Sequence, residues 1–215
     1  MRPVICMITD GRLGARRTVA DLVAGVRAAA EAGVHLIQIR ERRLDDRDLL
    51  AVTRLCIDAA RGTRARILVN DRLDVALAAG AHGVHLRSDS FPATRTRSAV
   101  APGFLIGRSV QSVEDAKRAA AEGAVDYLVF GTVFATTSKP GRQPAGVTSL
   151  ADVVRATTVP VLAVGGVTAE NALRVAQTGA AGISAIGLFA ENAPNAIATN
   201  VQHVTRAFDT PDTGS

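Results

Sequence analysis

Polar and charged side chains directly follow a short apolar run in the segment QIRER at 38–42. Because successive side chains of a strand alternate, Gln38, Arg40 and then Arg42 share one side near the carboxyl end of this predicted strand. A guanidinium at that position suits phosphate oxygens, and its burial without a counter-charge is unfavourable. The segment therefore predicts an anionic ligand. The alternative is an internal ion pair at the rim, such as Arg40 with Glu41.

The next two apolar runs end in oxygen-bearing side chains that could hold a metal ion. VND at 69–71 places Asn70 and Asp71 at a predicted strand terminus, where an amide and a carboxylate suit Mg²⁺ bridged to a diphosphate. Asp71 could equally cap the helix that follows. The run after it continues as RSDS, which supplies Asp89 and Ser90. Asp89 is a candidate second metal carboxylate, and an ordinary polar turn is the alternative.

Hydroxyl and ammonium groups follow the fifth and sixth predicted strands. GRS at 107–109 supplies Ser109, which could bind a phosphate or simply precede a helix. TTSK at 136–139 places Thr136 and Lys139 close together, as an oxyanion clamp or as an ordinary polar loop. Lys139 lies well past the strand end, which argues against a rigid Schiff-base lysine. The surrounding segment, 132–148, has no sustained helical or strand period, and we predict that it forms a lid, with a floppy insertion as the alternative.

Glycines follow the last two predicted strands, in VGGV at 164–167 and IG at 186–187. Glycine at such a place exposes backbone N–H groups. In closed parallel βα barrels the seventh and eighth loops form a recurrent phosphate site. The pair Gly166 and Gly187 therefore predicts a phosphorylated small substrate, with plain turns as the alternative.

A repeating unit must position all of these groups. A helix tail ending in glycine, then a small spacer and a β-branched apolar run, recurs at Gly33, Gly80, Gly123 and Gly179. Glycine is the expected stop of a helix, and such apolar runs indicate strands buried on both faces. The pattern predicts an α/β fold, a single-domain (βα)₈ TIM barrel.

This barrel is expected to span residues 1–207, with 208–215 as a flexible C-terminal tail. Strands are predicted near 3–8, 34–40, 66–70, 83–87, 104–109, 126–131, 160–165 and 182–187. Helices are predicted at 17–31, 45–61, 71–79, 91–100, 112–122, 149–156, 169–177 and 193–207. Ser112 and Thr168 are the expected N-caps of two of them.

Composition restricts the partners and the compartment. The 215 residues carry a net charge of +5 without a basic run or interleaved aromatic residues, which argues against nucleic acid. Cys6 and Cys56 are isolated, as expected for buried thiols in a reducing compartment. No apolar stretch has the form of a signal peptide or a membrane span. We expect a cytoplasmic protein that acts on small phosphorylated substrates, with a homodimer as a compatible assembly.

Taken in order, these segments resemble the thiamine phosphate synthase and thiazole tautomerase superfamily over nearly the whole chain. The matching segments are QIRER at 38–42, VND at 69–71, GVHL at 83–86, GRSV at 107–110, FGTVFATTSK at 130–139, AVGGVTAENA at 163–172 and GAAGISAI at 179–186. The resemblance implies a compact (βα)₈ barrel in thiamine biosynthesis. In the synthase, a hydroxymethylpyrimidine diphosphate loses pyrophosphate and the nitrogen of a thiazole phosphate captures the pyrimidine cation.

The resemblance also implies roles for individual residues. Gln38 would meet the pyrimidine, Asp71 would bind Mg²⁺, and Arg40 and Lys139 would be catalytic. Asp89 lies one residue before the position of the family's second metal carboxylate and would need a local shift to serve as one. The implied diphosphate ligands are Arg40, Arg42, Asn70, Ser109 and Lys139. The implied ligands of the thiazole phosphate are Thr136, Gly166, Ile186 and Gly187.

Three positions depart from the family patterns. The synthase pattern has lysine in place of Arg42 and a second metal-binding aspartate in place of Ser90. The tautomerase branch resembles GRSVHS and needs no metal, but its proton-shuttling histidine is replaced by Gln111, which cannot exchange protons near neutrality. The leading hypothesis is a Mg²⁺-dependent thiamine phosphate synthase. The alternatives are a metal-independent tautomerase-like isomerase, a non-catalytic thiazole phosphate binder and, more remotely, an unrelated phosphate-binding aldolase or isomerase.

Overall fold

The chain forms a closed barrel of eight parallel strands in a computed structural model that describes residues 3–15, 17–136, 141, 143–190 and 194–209. Each strand pairs with its sequence neighbours, and the first strand pairs with the last. The strands are β1 Val4–Ile8, β2 Leu36–Ile39, β3 Arg66–Asn70, β4 Gly83–Leu86, β5 Leu105–Val110, β6 Tyr127–Gly131, β7 Val161–Val164 and β8 Gly182–Ala185. The predicted single-domain (βα)₈ TIM barrel is confirmed.

A helix follows every strand and covers the outside of the barrel. The helices are α1 Val19–Glu31, α2 Asp46–Ala59, α3 Leu73–Ala79, α4 Ala93–Ala99, α5 Val113–Ala121, α6 Gly146–Arg155, α7 Ala172–Ala176 and α8 Pro194–Asp209. Within the described ranges, no helix combines the length and the apolar character that crossing a membrane requires.

Strand alternation divides the apolar side chains into two layers. The larger cluster lies between strands and helices and includes Ile5, Ile37 and Ile67. The smaller cluster fills the barrel interior and includes Cys6, Leu36, Leu68, Tyr127 and Leu162. The same parity places Gln38 and Asn70 inside the barrel, one layer nearer its carboxyl-terminal mouth. Both cysteines are free and buried, as predicted.

Several helix boundaries differ from the predicted ones. Helix α3 begins at Leu73 because the chain first makes a tight turn, α6 begins at Gly146 rather than at 149, and α7 is one short piece. Helix α8 continues to Asp209, two residues beyond the predicted end of the domain, and the remainder of the predicted tail lies outside the described residues.

One predicted N-cap is confirmed and the other is wrong. Ser112 caps α5 by accepting a hydrogen bond from the backbone N–H of Asp115. Helix α7 instead begins after Asn171, which makes no side-chain cap bond. Thr168 and Asn171 exchange two hydrogen bonds, of 2.8 and 3.4 Å, in the turn before the helix. This pairing has the hydrogen bonds of a capping box, but it lies in the turn that precedes the helix, three residues before the actual N-cap.

Candidate active site

Four polar side chains line the barrel interior at its carboxyl-terminal mouth, on β2 to β5. Gln38 is 2 % exposed, and its Nε2 donates to Oδ1 of Asn70 at 2.8 Å. On the other side, Nε2 of His85 lies 2.9 Å from Oγ of Ser109. Because each pair satisfies part of the partner's hydrogen-bonding capacity, these polar groups can be buried without an ion pair. The remaining capacity of Asn70 and Ser109 is available to a ligand in the mouth.

His85 is held neutral inside the barrel. Burial lowers its pKa to about 4, and the Asp71 carboxylate opposes this shift only weakly. Nδ1 of the ring lies 3.1 Å from the hydroxyl of Tyr127. When Tyr127 donates to Nδ1, the single ring proton is on Nε2 and is donated to Ser109 Oγ. The hydroxyl hydrogen of Ser109 is then free to bind an anion above it.

The neutral state of His85 predicts a pH dependence of stability. Its pKa is about 4 in the folded chain and about 6.5 in an unfolded chain, so unfolding takes up a proton between those values. The free energy of unfolding should therefore fall by about 3 kcal/mol on acidification from pH 6.5 to 4. His85→Gln should flatten this part of the profile in urea titrations, whereas the exposed control His203→Gln should not. An unchanged slope in His85→Gln would contradict the assignment.

A cavity of about 320 Å³ opens beside this polar layer, between the loops that follow β2, β3 and β4. Its lining is rich in arginine and includes Arg40, Arg42, Asn70, Asp71, Arg72 and Arg87. Burial lowers the pKa of Arg40, and the neighbouring Arg42 and Arg87 guanidinium groups lower it further, against the opposing effect of Glu41. Several cations around one cavity are mutually repulsive, so the cavity is suited to a highly charged anion.

The alternative of an internal ion pair at Arg40 is not observed among the described residues. The buried carboxylate of Glu41 accepts hydrogen bonds from the backbone N–H groups of Gly11 and Leu13, each at 3.3 Å. The backbone N–H of Arg40 donates to Thr9 Oγ1 at 2.8 Å. These contacts fix the loop after β1 against the end of β2. They leave the Arg40 side chain facing the cavity.

Asp71 occupies a strained turn and does not cap α3. Its φ is 63°, uncommon for a residue other than glycine, and the Arg72 N–H donates to the Asn70 carbonyl at 2.8 Å across it. Helix α3 has no side-chain cap. Strain at a residue of this kind is a feature of functional sites. The turn directs the Asp71 carboxylate toward the loop after β4.

Two groups of the β4 loop contact that carboxylate. Oγ of Ser90 donates to Oδ1 of Asp71, and Nη1 of Arg87 lies 3.5 Å from Oδ2. Asp89 pairs with the same guanidinium, and 64 % of its side chain is exposed. The two candidate metal carboxylates are therefore joined by an arginine.

The donor set fits a Mg²⁺ ion that takes few ligands from the protein. The described residues contain no group of three His, Cys, Asp or Glu side chains that could enclose a metal. Mg²⁺ commonly binds through one or two carboxylates together with substrate phosphates and water. Asp71, next to an arginine-lined cavity of about 320 Å³, meets that description.

The opposite sector of the mouth is formed by the loops after β6, β7 and β8. Strands β7 and β8 pair with Val164 opposite Ser184, so Gly166 and Gly187 follow neighbouring strand ends. Gly166 has φ 64°, and a Cβ there would lie 2.3 Å from the Ala135 carbonyl oxygen. Only glycine allows the loop after β6 to approach this closely.

The predicted lid is joined to the barrel at its base. The N–H groups of Ala145 and Gly146 donate to the carbonyls of Thr132 and Val133 at 2.8 and 3.0 Å. The two ends of the loop are thus held together beside β7. Thr136 lies near this base, while Lys139 lies outside the described residues. The role of Lys139 therefore stays a prediction.

Sequence reasoning missed two parts of the site. The first part is Arg87, which directly follows β4 and lines the cavity together with Arg40. The second part is His85, a strand residue whose ring connects the hydroxyl of Tyr127 with that of Ser109. The alternation of HGVHLR could have indicated both, because it sets His85 and Arg87 on the interior side.

Comparisons with known proteins identify the family of the chain. Residues 5–189 match the family profile described as thiamine monophosphate synthase. A thiamine-phosphate synthase of Methanoculleus marisnigri is 45% identical over 181 residues, covering 84% of each chain. One from Roseiflexus castenholzii is 38% identical over 186 residues, covering 86% of this chain and 80% of the relative. The structure of thiamine phosphate pyrophosphorylase from Pyrococcus furiosus is similar with a TM-score of 0.80 and 31% identity, covering 95% of each chain. The chain therefore belongs to the thiamine monophosphate synthase family.

Proposed function

We propose that this chain is a thiamine-phosphate synthase, a transferase that joins hydroxymethylpyrimidine diphosphate to thiazole phosphate and releases pyrophosphate. The observation that carries the proposal is the arginine-lined cavity around Arg40 and Asp71, next to the Gln38–Asn70 pair. Relatives up to 45% identical bear the same name. Gln38, Asn70 and Asp71 lie at the carboxyl ends of β2 and β3, the end at which such barrels carry their chemistry.

The reaction is written as a dissociation followed by capture. The bond from the pyrimidine methylene carbon to the diphosphate oxygen breaks, and its electron pair leaves with pyrophosphate. The thiazole nitrogen then donates its lone pair to that carbon and forms the new C–N bond. No redox partner is required. Stabilisation of the charge that develops on the leaving group is the largest task of such a site.

Arg40 and Arg42 would hold the departing diphosphate from the β2 side, and Asn70 and Ser109 would donate to it from the barrel interior. Bound Mg²⁺ would supply further positive charge, with Asp71 as its protein ligand. Asp89 as a second ligand stays a prediction, because its carboxylate pairs with Arg87. Gln38 would orient the pyrimidine beside Asn70.

The thiazole phosphate would bind on the opposite sector of the mouth. Gly166, Ile186 and Gly187 lie at the ends of β7 and β8, where backbone N–H groups commonly bind phosphate. Thr136 would add a hydroxyl from the lid, and Lys139 would reach the diphosphate when the lid closes. Closure would exclude water from the cation. In this proposal the two anions would lie on opposite sides of the reacting carbon.

A tautomerase role is not favoured. The side chain of Gln111 is exposed and donates to Ser88 Oγ at 2.9 Å. An amide at this place cannot shuttle a proton. We also propose a cytoplasmic location, in line with two free buried thiols. A homodimer remains a compatible assembly.

The proposed activity is tested by mixing the protein with both substrates and Mg²⁺ and following pyrophosphate and thiamine phosphate together. We expect the two products in equal amounts, and no product when the thiazole phosphate is replaced by its unphosphorylated alcohol at equal concentration. Absence of pyrophosphate release with both substrates present would overturn the proposed function.

A further inference from the structure

Arg87 is a cation of the cavity that none of the family motifs quoted above accounts for. It follows β4, lines the same cavity as Arg40 and Arg42, and 47 % of its side chain is exposed. Its guanidinium lies between the carboxylates of Asp71 and Asp89. It therefore stands beside the group that would hold the metal, with part of its surface open to the cavity.

The loop that carries Arg87 is fixed in place. The Arg87 N–H donates to Ser90 Oγ at 2.9 Å. The guanidinium of Arg108, on β5, donates to the carbonyls of Ser88, Ser90 and Phe91 at 3.1 to 3.3 Å. A loop with several carbonyls bound to one guanidinium keeps a constant shape. Arg87 is thus presented to the cavity in a defined position.

The contacts of Arg87 differ in strength on its two sides. The contact with Asp71 is an ion pair at 3.5 Å, whereas Asp89 forms a direct hydrogen bond with the same guanidinium. Asp89 is mostly exposed, so solvent screens this pair and its net stabilisation is small. A diphosphate carries more charge and offers oxygens to the guanidinium fork. Such a ligand can draw Arg87 away from Asp89 without a large penalty.

We infer that Arg87 is a diphosphate-binding residue of this chain, a fixed cation beside Asp71 that supplies part of the counter-charge otherwise contributed by a divalent ion. When no ligand is bound, Asp89 keeps the Arg87 guanidinium beside the cavity through their hydrogen bond. The choice of diphosphate as the ligand rests on the proposed function. The consequence is measurable: pyrophosphate binding should persist without metal, and its metal dependence should be set by Arg87.

The test is calorimetric titration of the protein with inorganic pyrophosphate, in EDTA and again in excess Mg²⁺. Wild type should bind in both conditions. Arg87→Gln should weaken binding in EDTA by at least about 10-fold and binding in Mg²⁺ by a smaller factor, since a hydrogen bond to a charged group is lost. Arg87→Lys should recover part of the affinity, because it keeps the charge without the fork. Arg61→Gln, which removes an exposed arginine paired with Asp58, is the matched control and should bind as wild type does.

Asp89→Asn gives an independent readout. If Asp89 only holds Arg87, this variant should bind pyrophosphate in EDTA more tightly, by about two- to fivefold. Weaker binding in Mg²⁺ alone would identify Asp89 as a metal ligand and overturn this part of the inference.

Three results would refute the role of Arg87. The first is that the wild type does not bind pyrophosphate in EDTA. The second is that Arg87→Gln binds pyrophosphate in EDTA as tightly as the wild type does. The third is that Arg87→Gln loses the same affinity with and without Mg²⁺, which would indicate a merely structural effect. Failure of the proposed function is recognised separately. In that case the wild type would bind pyrophosphate through Arg87 but release none from the two substrates.

Discussion

Arg40→Gln is expected to lower kcat for pyrophosphate release by a factor of about 10² to 10³ without lowering the melting temperature of the ligand-free protein. Arg40 lines the cavity beside Arg42 and Arg87. Burial and these two cations lower its pKa against the opposing effect of Glu41, so its charge is less favourable in the ligand-free chain than in water. Removing that charge relieves repulsion in the resting state and removes stabilisation from the transition state.

The two effects distinguish a catalytic role from a structural one. A residue needed only for packing would lower the melting temperature and kcat together. Arg43→Gln is the matched control, since Arg43 is exposed three residues further along the same segment and does not line the cavity. It should retain wild-type turnover. Turnover of Arg40→Gln within about threefold of wild type would contradict the assignment of this cavity to the leaving group.

Gly166→Ala is expected to raise KM for thiazole phosphate by at least about 10-fold and to lower the free energy of unfolding by about 2 to 4 kcal/mol. The methyl group would lie 2.3 Å from the Ala135 carbonyl oxygen and 2.8 Å from Phe134 Cβ. Both belong to the loop after β6, whose Phe134 N–H donates to the Gly165 carbonyl at 2.9 Å. The backbone must therefore move, and the proposed phosphate site moves with it.

Gly80→Ala is the control that separates the effect of the steric contact at Gly166 from the effect of its positive φ. Gly80 has a similar positive φ of 72°, but a Cβ there meets nothing within 4 Å. It lies at the end of α3, far along the chain from the β7 and β8 loops. This control should lose only about 1 to 2 kcal/mol of stability and keep its KM. If both variants lose the same stability and neither changes KM, then the close contact of Gly166 with the loop after β6 does not contribute to binding of the thiazole phosphate.

The sequence was sufficient for the barrel because the pattern that specifies it is local. A glycine stop such as Gly80, which has left-handed φ at the end of α3, and a buried apolar strand after it are readable without tertiary knowledge. Strand parity likewise predicted that Gln38 and Arg40 share one side near the carboxyl end of their strand. Gln38 lies inside the mouth there, and the sequence did not predict its hydrogen bond to Asn70 on the neighbouring strand. These residues sit on regular strands, so their direction follows from the pleat.

The remainder of the site depends on contacts between loops that are distant in sequence. The turn at Asp71 delays α3 because its N–H is bound to the His85 carbonyl at 2.9 Å, on the neighbouring strand. A role for Arg87 could not be predicted, because a charged residue directly after a strand usually lies in a solvated turn. Only the cavity that it shares with Arg40 indicates a role in binding. Helix starts were misplaced for the same reason, as with α6, whose first turn is set by the bond from Gly146 to Val133.

The central claim is that the diphosphate and the monophosphate bind on opposite sides of the barrel mouth. Its most direct test is a crystal structure of the protein with Mg²⁺, pyrophosphate and thiazole phosphate bound together. We expect pyrophosphate beside Arg40, with the metal on Asp71, and the monophosphate over the ends of β7 and β8 at Gly166. Both anions in one sector, or pyrophosphate outside the arginine-lined cavity, would contradict the account.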